Sequence, residues 1–387
     1  MTAAQPRAVV AFDAFKGSLT ALEACEAAAR GIRSVVPGAE VVLVPMADGG
    51  EGSLDALLAR GGDEVVTETV DAIGRPASAR WALDGRSAVI ELAQAAGLPQ
   101  VEDAPLQPLA ASTAGLGRVV LDALDRGASE LTLLLGGSAT SDGGAGLLTA
   151  LGARLTDASG RPVQPGGGGL AALEHLDVSG VDPRALAARW RFVTDVDAPL
   201  TGPRGAAAVF GPQKGAGPDD VRALDAALER FARIGAEALG VDAASIIDVP
   251  GSGAAGGVAS VLRALTGGDV VAGGAWFAEL AGLEAAVADA DLVLTGEGRF
   301  DGQSAGGKVV SVVHAAAERH GVPLCVLAGS VDADAAAAMG VPALSIAAGP
   351  ATLDALQRDA GDLLAAAAAS VARLALGAAR LGVTDAR

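Results

Sequence analysis

Leu131-Thr132-Leu133-Leu134-Leu135-Gly136-Gly137-Ser138-Ala139-Thr140-Ser141-Asp142-Gly143-Gly144-Ala145-Gly146 is an apolar run that breaks into glycine. Leu131 to Leu135 reads as a buried strand, and Leu147 to Leu151 as the start of the helix that follows. Strand, glycine turn and helix make one step of an α/β fold. Five glycines let backbone N–H groups approach a ligand with no Cβ in the way. Ser138, Thr140 and Ser141 add hydroxyls, and a helix N-terminus beyond them adds partial positive charge. The combination suits a bound phosphate.

Upstream, Val9 to Phe12 is a short apolar strand whose C-terminal end carries Asp13-Ala14-Phe15-Lys16-Gly17-Ser18. Open α/β sheets place ligands at such ends. Thr20 to Val36 has helical spacing, with Leu22, Cys25, Ala29 and Ile32 on one side. Val41 to Val44 is a second strand, running into the acidic glycine turn Met46-Ala47-Asp48-Gly49-Gly50-Glu51-Gly52 and a helix through Leu54, Leu57 and Leu58. This βαβα rhythm predicts a parallel sheet. Glu64 to Thr69, Ala79 to Leu83 and Ser87 to Leu92 then read as a meander joined at Gly74 and Gly85, with a domain change near residue 70.

Downstream, a long helix is expected over Thr113 to Arg126 and a charged amphipathic one over Asp219 to Leu239. Between them Arg191 to Thr194 is a strand that ends in Asp195-Val196-Asp197. Two carboxylates two apart on a strand face the same way, as a magnesium site needs. The α/β rhythm returns with Leu292 to Thr295, which ends in Gly296-Glu297-Gly298-Arg299-Phe300-Asp301. A helix from Lys308 to Glu318, strands at Leu324 to Leu327 and Ala343 to Ile346, and a terminal helix complete the chain. These last strands match the N-terminal pair better than the middle. The expectation is therefore two α/β domains: a discontinuous parallel-sheet domain of residues 1–70 and 285–387, and an inserted mixed α/β domain of residues 71–284.

The 387 residues are 51% hydrophobic and carry a net charge of −18, which allows a large core and argues against nucleic-acid and anionic-membrane partners. The Ala/Leu-rich end, Leu363 to Leu381, is interrupted by Arg373 and Arg380 and reads as a packed helix. With no basic leader and two apolar-set cysteines, Cys25 and Cys325, a cytoplasmic protein is expected. His175, His314 and His320 lack the spacing of a zinc site, and a Ser-His triad is disfavoured. Of 28 basic residues only Lys16, Lys214 and Lys308 are lysines, and each touches a glycine. An ammonium is a compact point charge, so lysines kept in glycine loops are candidate ligands for phosphate or carboxylate.

Two further glycine patterns carry less. Gly251-Ser252-Gly253-Ala254-Ala255-Gly256 fits the dinucleotide fingerprint, which makes a nicotinamide-dependent oxidoreductase the alternative of another class. Pro250 precedes it and no βαβ unit surrounds it, so it reads as a helix start with a close backbone approach. Gly302 to Gly307 with Lys308 fits the P-loop spacing, but Val309 stands where a hydroxyl is required. The P-loop is rejected and Lys308 kept as a ligand candidate.

Taken in order, Phe15-Lys16-Gly17-Ser18, Ala47-Asp48-Gly49-Gly50-Glu51-Gly52, Gly136 to Gly146, Gly211-Pro212-Gln213-Lys214-Gly215-Ala216 and Thr295-Gly296-Glu297-Gly298 resemble the motifs of the bacterial type I glycerate kinases over nearly the whole chain. The resemblance implies a flavodoxin-like domain made from both chain ends, a second inserted α/β domain, and ATP-dependent phosphorylation of D-glycerate to 2-phosphoglycerate in glyoxylate or sugar-acid breakdown. Transfer to the 3-hydroxyl, or to another small hydroxy acid, is the alternative within the class. Ala14 stands where a Ser is usual, and Ser141 and Ala198 where an Asn is usual. Phosphoryl transfer needs charge neutralisation, positioning and a proton acceptor. On that basis Gly137, Ser138, Thr140 and Gly143, with Lys214, are expected to hold ATP, and Asp195 and Asp197, with Asp142, to hold Mg2+. Lys16, Ser18, Glu297 and Arg299 are expected to meet the substrate. Asp13 or Asp48 takes the proton, with Lys16 and Lys308 beside the reaction. A monomer or homodimer is expected.

Overall fold

The computed structural model describes residues 5–50, 52–302 and 308–377. Glu51, residues 303–307 of the glycine loop before Lys308, and residues 378–387, into which the terminal helix was expected to run, lie outside the described residues. The chain divides into two compact units, Met1–Asp48 with Gly273–Arg387, and Gly49–Ala272.

The first unit is built on a five-stranded parallel sheet in the order Ala343–Ser345, Leu324–Ala328, Leu292–Gly296, Arg7–Phe12, Glu40–Leu43. Val9 lies opposite Val293 on one side and Val42 on the other, so strands from both chain ends share the sheet. Counting this sheet's strands alone, the order is 2-1-3-4-5, that of flavodoxin. Leu292–Gly296 and all but the first residue of Arg7–Phe12 are buried, as continuous apolar runs in a parallel sheet should be. The helix Ala21–Val35 begins on a reciprocal cap between Thr20 and Glu23 and buries Ala24, Cys25, Ala28 and Ile32. It packs on the terminal helix Ala360–Ala375, so closely that a Cβ on Gly31 would stand 2.0 Å from the Ala365 carbonyl oxygen. Leu364, Ala368 and Ala372 are buried in that contact. Among the described residues no helix is long and apolar enough to cross a membrane.

The second unit holds a six-stranded mixed sheet in the order Asp269–Val271, Arg189–Val193, Glu130–Leu134, Ser87–Glu91, Pro76–Asp84, Asp63–Val70. The first four strands are parallel, and the last three form the antiparallel meander. Trp81, Trp190, Phe192 and Phe231 fill its core, with Trp190 and Phe192 stacked at 5.9 Å.

Both expected domain limits move. Asp63–Val70 spends its ladder on Pro76–Asp84, from Asp63 opposite Leu83 to Val70 opposite Pro76, so it belongs to the second sheet and the first limit falls at Asp48/Gly49, not at 70. The helices Gly273–Ala281 and Leu283–Val287 pack on the helix Val309–His320, which moves the second limit from 284 to Ala272/Gly273.

Candidate active site

In the first unit the sheet's order reverses between Arg7–Phe12 and Leu292–Gly296, the position at which doubly wound sheets bind ligands. Asp13 leaves the first of these strands and Glu297 the second, and the Asp13 N–H donates to the Gly296 carbonyl at 3.0 Å. The close packing needs a glycine there, because a Cβ on Gly296 would stand 1.8 Å from the Leu327 carbonyl oxygen. Asp48 follows the neighbouring strand, where Met46 still bonds to Phe12 at 2.9 Å. Asp13 is half-buried, and its carboxyl is held well above the ordinary carboxylate range. Burial is the main cause, the charges of Asp48 and then Glu297 add to it, and an Ala14 N–H at 2.7 Å and Lys16 oppose it.

Phe15 to Leu19 closes a tight turn, with Gly17 at φ +78° and the exposed Lys16 at its tip. The Ser18 hydroxyl donates to the Phe15 carbonyl at 2.9 Å, so its proton is spent on the turn and only its lone pairs can face a substrate. Arg299 is exposed and pairs with Asp301 at 3.1 Å. Lys308 is half-buried at the N-cap of the helix Val309–His320. Asp13, Lys16, Asp48 and Glu297 therefore come together electrostatically.

In the second unit the Gly136–Gly146 stretch has two halves. Gly136 to Ser138 leaves the C-terminal end of Glu130–Leu134. The Gly136 N–H donates to Gly49 at 3.1 Å, and a Cβ on Gly136 would sit 2.3 Å from the Gly50 Cα. Gly137 is exposed at φ +68°. Ala139 and Leu98 stitch the segment to the Ala96 and Gly137 carbonyls at 2.8 and 2.9 Å. This half keeps an accessible glycine backbone.

The half from Thr140 to Gly144 is buried, and several expected ligands sit in it. Asp142 is fully buried; its carboxylate accepts from the Thr113 N–H and hydroxyl at 2.8 and 3.0 Å, and from Gly144 and Gly146 N–H at 3.1 and 3.2 Å. The anion at the N-terminus of the short helix Ala145–Ala150 is thus the chain's own, and the expectation of Asp142 as a magnesium ligand is corrected. Gly143 donates its N–H to Gly256 at 2.9 Å, and a Cβ there would meet the Phe231 ring at 2.7 Å, so it is a packing glycine and not a phosphate ligand. Thr140 is fully buried, its hydroxyl without a hydrogen-bond partner, as is that of Ser141. Lys214 is 2% exposed, and its Nζ donates to the Thr140 carbonyl at 2.5 Å. Burial lowers its pKa to about 7, against a pull upward from Asp142. The Lys214 ammonium is thus turned to the Thr140 carbonyl, inside the protein.

Asp195 and Asp197 are also placed differently. Their strand ends at Val193, and the Val196 N–H turns back to the Thr194 hydroxyl at 3.3 Å, so strand alternation no longer aligns the two carboxylates. Asp195 is half-buried and Asp197 exposed. Among the described residues no group of three or more His, Cys, Asp or Glu is arranged to hold a metal. Asp195 does share an edge with the glycine loop, because Leu134 lies opposite Val193 in adjacent parallel strands. Glu91, at the same end of Ser87–Glu91, was not foreseen. It is buried and accepts from Gly52 and Leu54 N–H at 3.3 and 3.4 Å. A charge closing an apolar strand was the available signal.

Gly251 to Gly256 does not have the setting of a dinucleotide site: among the described residues no strand feeds it, and it lies in contact with the buried half of the loop. A Cβ on Gly256 would stand 2.1 Å from the Thr140 carbonyl oxygen, and one on Gly253 2.2 Å from that of Pro199. This is the close backbone approach that the motif's alternative reading expected.

A carboxyl whose proton affinity has been raised is suited to take a proton from a hydroxyl, and an exposed glycine backbone at a strand end is suited to a phosphate, the two needs of a phosphoryl transfer to an alcohol. The family model of the glycerate kinase family matches residues 8–376, and the chain belongs to that family. It is 45% identical to the glycerate kinase of Bacillus subtilis (strain 168) over 329 residues, 84% of this chain and 85% of that one. It is 40% identical to the glycerate 2-kinase of Escherichia coli (strain K12) over 381 residues, 97% and 99% of the two chains. A crystal structure from Salmonella typhimurium LT2, assigned to glycerate kinase 2, superposes with a TM-score of 0.86 at 41% identity, covering 97% of this chain and all of that one. The protein is a kinase.

Proposed function

We propose that the protein transfers the γ-phosphoryl group of ATP to the 2-hydroxyl of D-glycerate, with Mg2+ accompanying the nucleotide. The observation that carries this reading is the Asp13 carboxyl, held above its ordinary range by burial and by Asp48 and Glu297 at the strand-order reversal. The hydroxyl oxygen of glycerate attacks the γ-phosphorus, the bond to the β-bridging oxygen breaks, ADP leaves, and the hydroxyl proton passes to Asp13. Asp48 keeps that carboxyl's proton affinity high. Lys16, exposed at its turn, meets the substrate carboxylate or the moving phosphoryl group. Arg299 and Lys308 are assigned secondary roles in binding the substrate anion.

Gly136 to Ser138 offers backbone to the phosphates of ATP. Magnesium commonly takes one or two carboxylates and completes its shell with phosphate and water, and Asp195, on the same sheet edge as Gly136, fits that mode where a three-carboxylate cage does not. When bound, the ion would neutralise phosphate charge. The name of the Escherichia coli relative supports the 2-hydroxyl as acceptor.

The test is a coupled ADP-release assay over small hydroxy acids, with the product identified by NMR. D-glycerate as preferred substrate and 2-phosphoglycerate as product are expected. A 3-phosphoglycerate product would overturn the regiochemistry, and preference for another acid would overturn the substrate.

A further inference from the structure

We propose that Lys214 is a positioning residue: it holds the buried half of the glycine loop from within the protein, so that Gly136 to Ser138 stay in register, and it touches no ligand itself. The proposal rests on the reading that this half, in which Gly137 is exposed, meets the phosphates of ATP.

Lys214 projects from a tight turn. The Lys214 and Ala216 N–H groups both donate to the Gly211 carbonyl at 3.0 Å. Gly215 follows at φ +90°, where a Cβ would stand 2.8 Å from the Leu106 side chain. From this base the Lys214 Nζ reaches the Thr140 carbonyl, two residues beyond Ser138, at 2.5 Å. The same carbonyl is pressed by Gly256, and Gly143 is bonded to Gly256 at 2.9 Å. Asp142, between Thr140 and Gly143, is fixed by its four hydrogen bonds and interacts with the Lys214 charge. The buried half of the loop is thus gripped by a lysine and by a glycine turn, while Gly137 remains exposed.

A purely structural position would be better served by an apolar side chain, because burying a cation costs more than one carbonyl returns. Retaining the lysine makes sense if a defined loop geometry is what it supplies. Its type also fits. A single buried carbonyl can satisfy one donor of a compact ammonium, whereas a guanidinium would bring five donors into the same space. The chain otherwise uses arginine, with only three lysines among 28 basic residues.

That scarcity makes the test simple. The intact protein is treated with acetic anhydride, with and without ATP, and modification is read at each lysine by mass spectrometry. Lys16 should react, and Lys214 should stay unmodified in both conditions until the protein is unfolded. Reaction of Lys214 at the rate of Lys16, with protection by ATP, would overturn the proposal by making it a ligand. The second measurement is steady-state kinetics of Lys214→Met and Lys214→Arg in protein shown to be folded by circular dichroism. A displaced phosphate loop should raise the KM for ATP roughly 10- to 100-fold in both, with the KM for glycerate little changed. An unchanged KM for ATP in folded Lys214→Met would overturn the positioning role. Labelling does not depend on turnover, so a wild-type protein inactive on glycerate would count against the kinase reading and leave the labelling result on Lys214 intact.

Discussion

The negative charge of Asp48 and the burial of Asp13 act on the Asp13 carboxyl in the same direction, both opposing its ionisation. Glu297 adds to them from the neighbouring strand end, and Lys16 opposes them. A carboxyl in such a setting binds its proton more tightly, which a base taking a hydroxyl proton requires and a structural carboxylate does not.

Asp13→Asn should therefore lower turnover by roughly 10²- to 10⁴-fold, the usual worth of a positioned base. Its stability should move the other way. Because the folded-state pKa lies above the unfolded value, the folded protein binds more protons between the two, and stability falls as pH rises through that window. The cost is absent below about pH 4, the unfolded value, and fully present above the folded one. Melting curves should show Asp13→Asn gaining on the wild type as pH rises from about 4 towards neutrality. A constant offset across that range would remove the raised pKa from the account.

Lys16→Arg tests whether the exposed lysine is a ligand or a surface charge. Losing one well-placed contact to the transferring group costs about 2–4 kcal/mol. A guanidinium keeps the charge but spreads it over a fork, so the lower half of that range is expected. The melting temperature should hardly move, since exposed-loop changes are usually within about 0.5 kcal/mol. Kinetics indistinguishable from wild type would return Lys16 to a solvated turn.

Asp195 and Asp142 were expected to act together, but the Asp142 carboxyl is fully buried and taken up by four donors. Asp195→Asn should leave the fold intact, depress turnover and raise the Mg2+ concentration for half-maximal rate. Asp142→Ala should instead destabilise the fold, because it strands three buried donors and a fourth, the Gly146 N–H, that is half-buried. At about 1–3 kcal/mol for each unsatisfied group, the loss is enough to prevent folding or to lower the melting point sharply. A magnesium titration and a thermal melt on each variant decide. A well-folded Asp142→Ala with altered magnesium dependence would restore the metal role.

What could be read from the sequence was mostly local. The apolar runs Arg7–Phe12 and Leu292–Gly296 were identifiable as buried parallel strands because both faces are covered, and their pairing followed from their likeness. Asp63–Val70 was legible as a strand, but its alternation does not say which sheet takes its hydrogen bonds, and the domain limit was misplaced with it. Asp195 and Asp197 were aligned by assuming the strand ran on, and the Thr194 hydroxyl ends it in a turn. The glycine loop was found, but which half faces outward depends on Thr113, Lys214 and Gly256, remote in sequence and brought there by packing.

Lys214 gives the last prediction, in the alkaline range. The unfolded chain holds this proton up to about pH 10.4, while burial lets the folded protein release it at about 7. Between these values the unfolded state binds more protons, so the Lys214 contribution makes stability rise with pH. The cost of the buried charge is greatest below the folded pKa and declines as the amine becomes neutral. Lys214→Met has no such group. The melting temperature of the wild type relative to Lys214→Met should therefore climb from pH 7 to pH 10 and level off above. Titrations common to both proteins cancel in the difference. If the difference stays flat, the lysine has an ordinary pKa and reaches water, and the buried contact with Thr140 does not persist in solution.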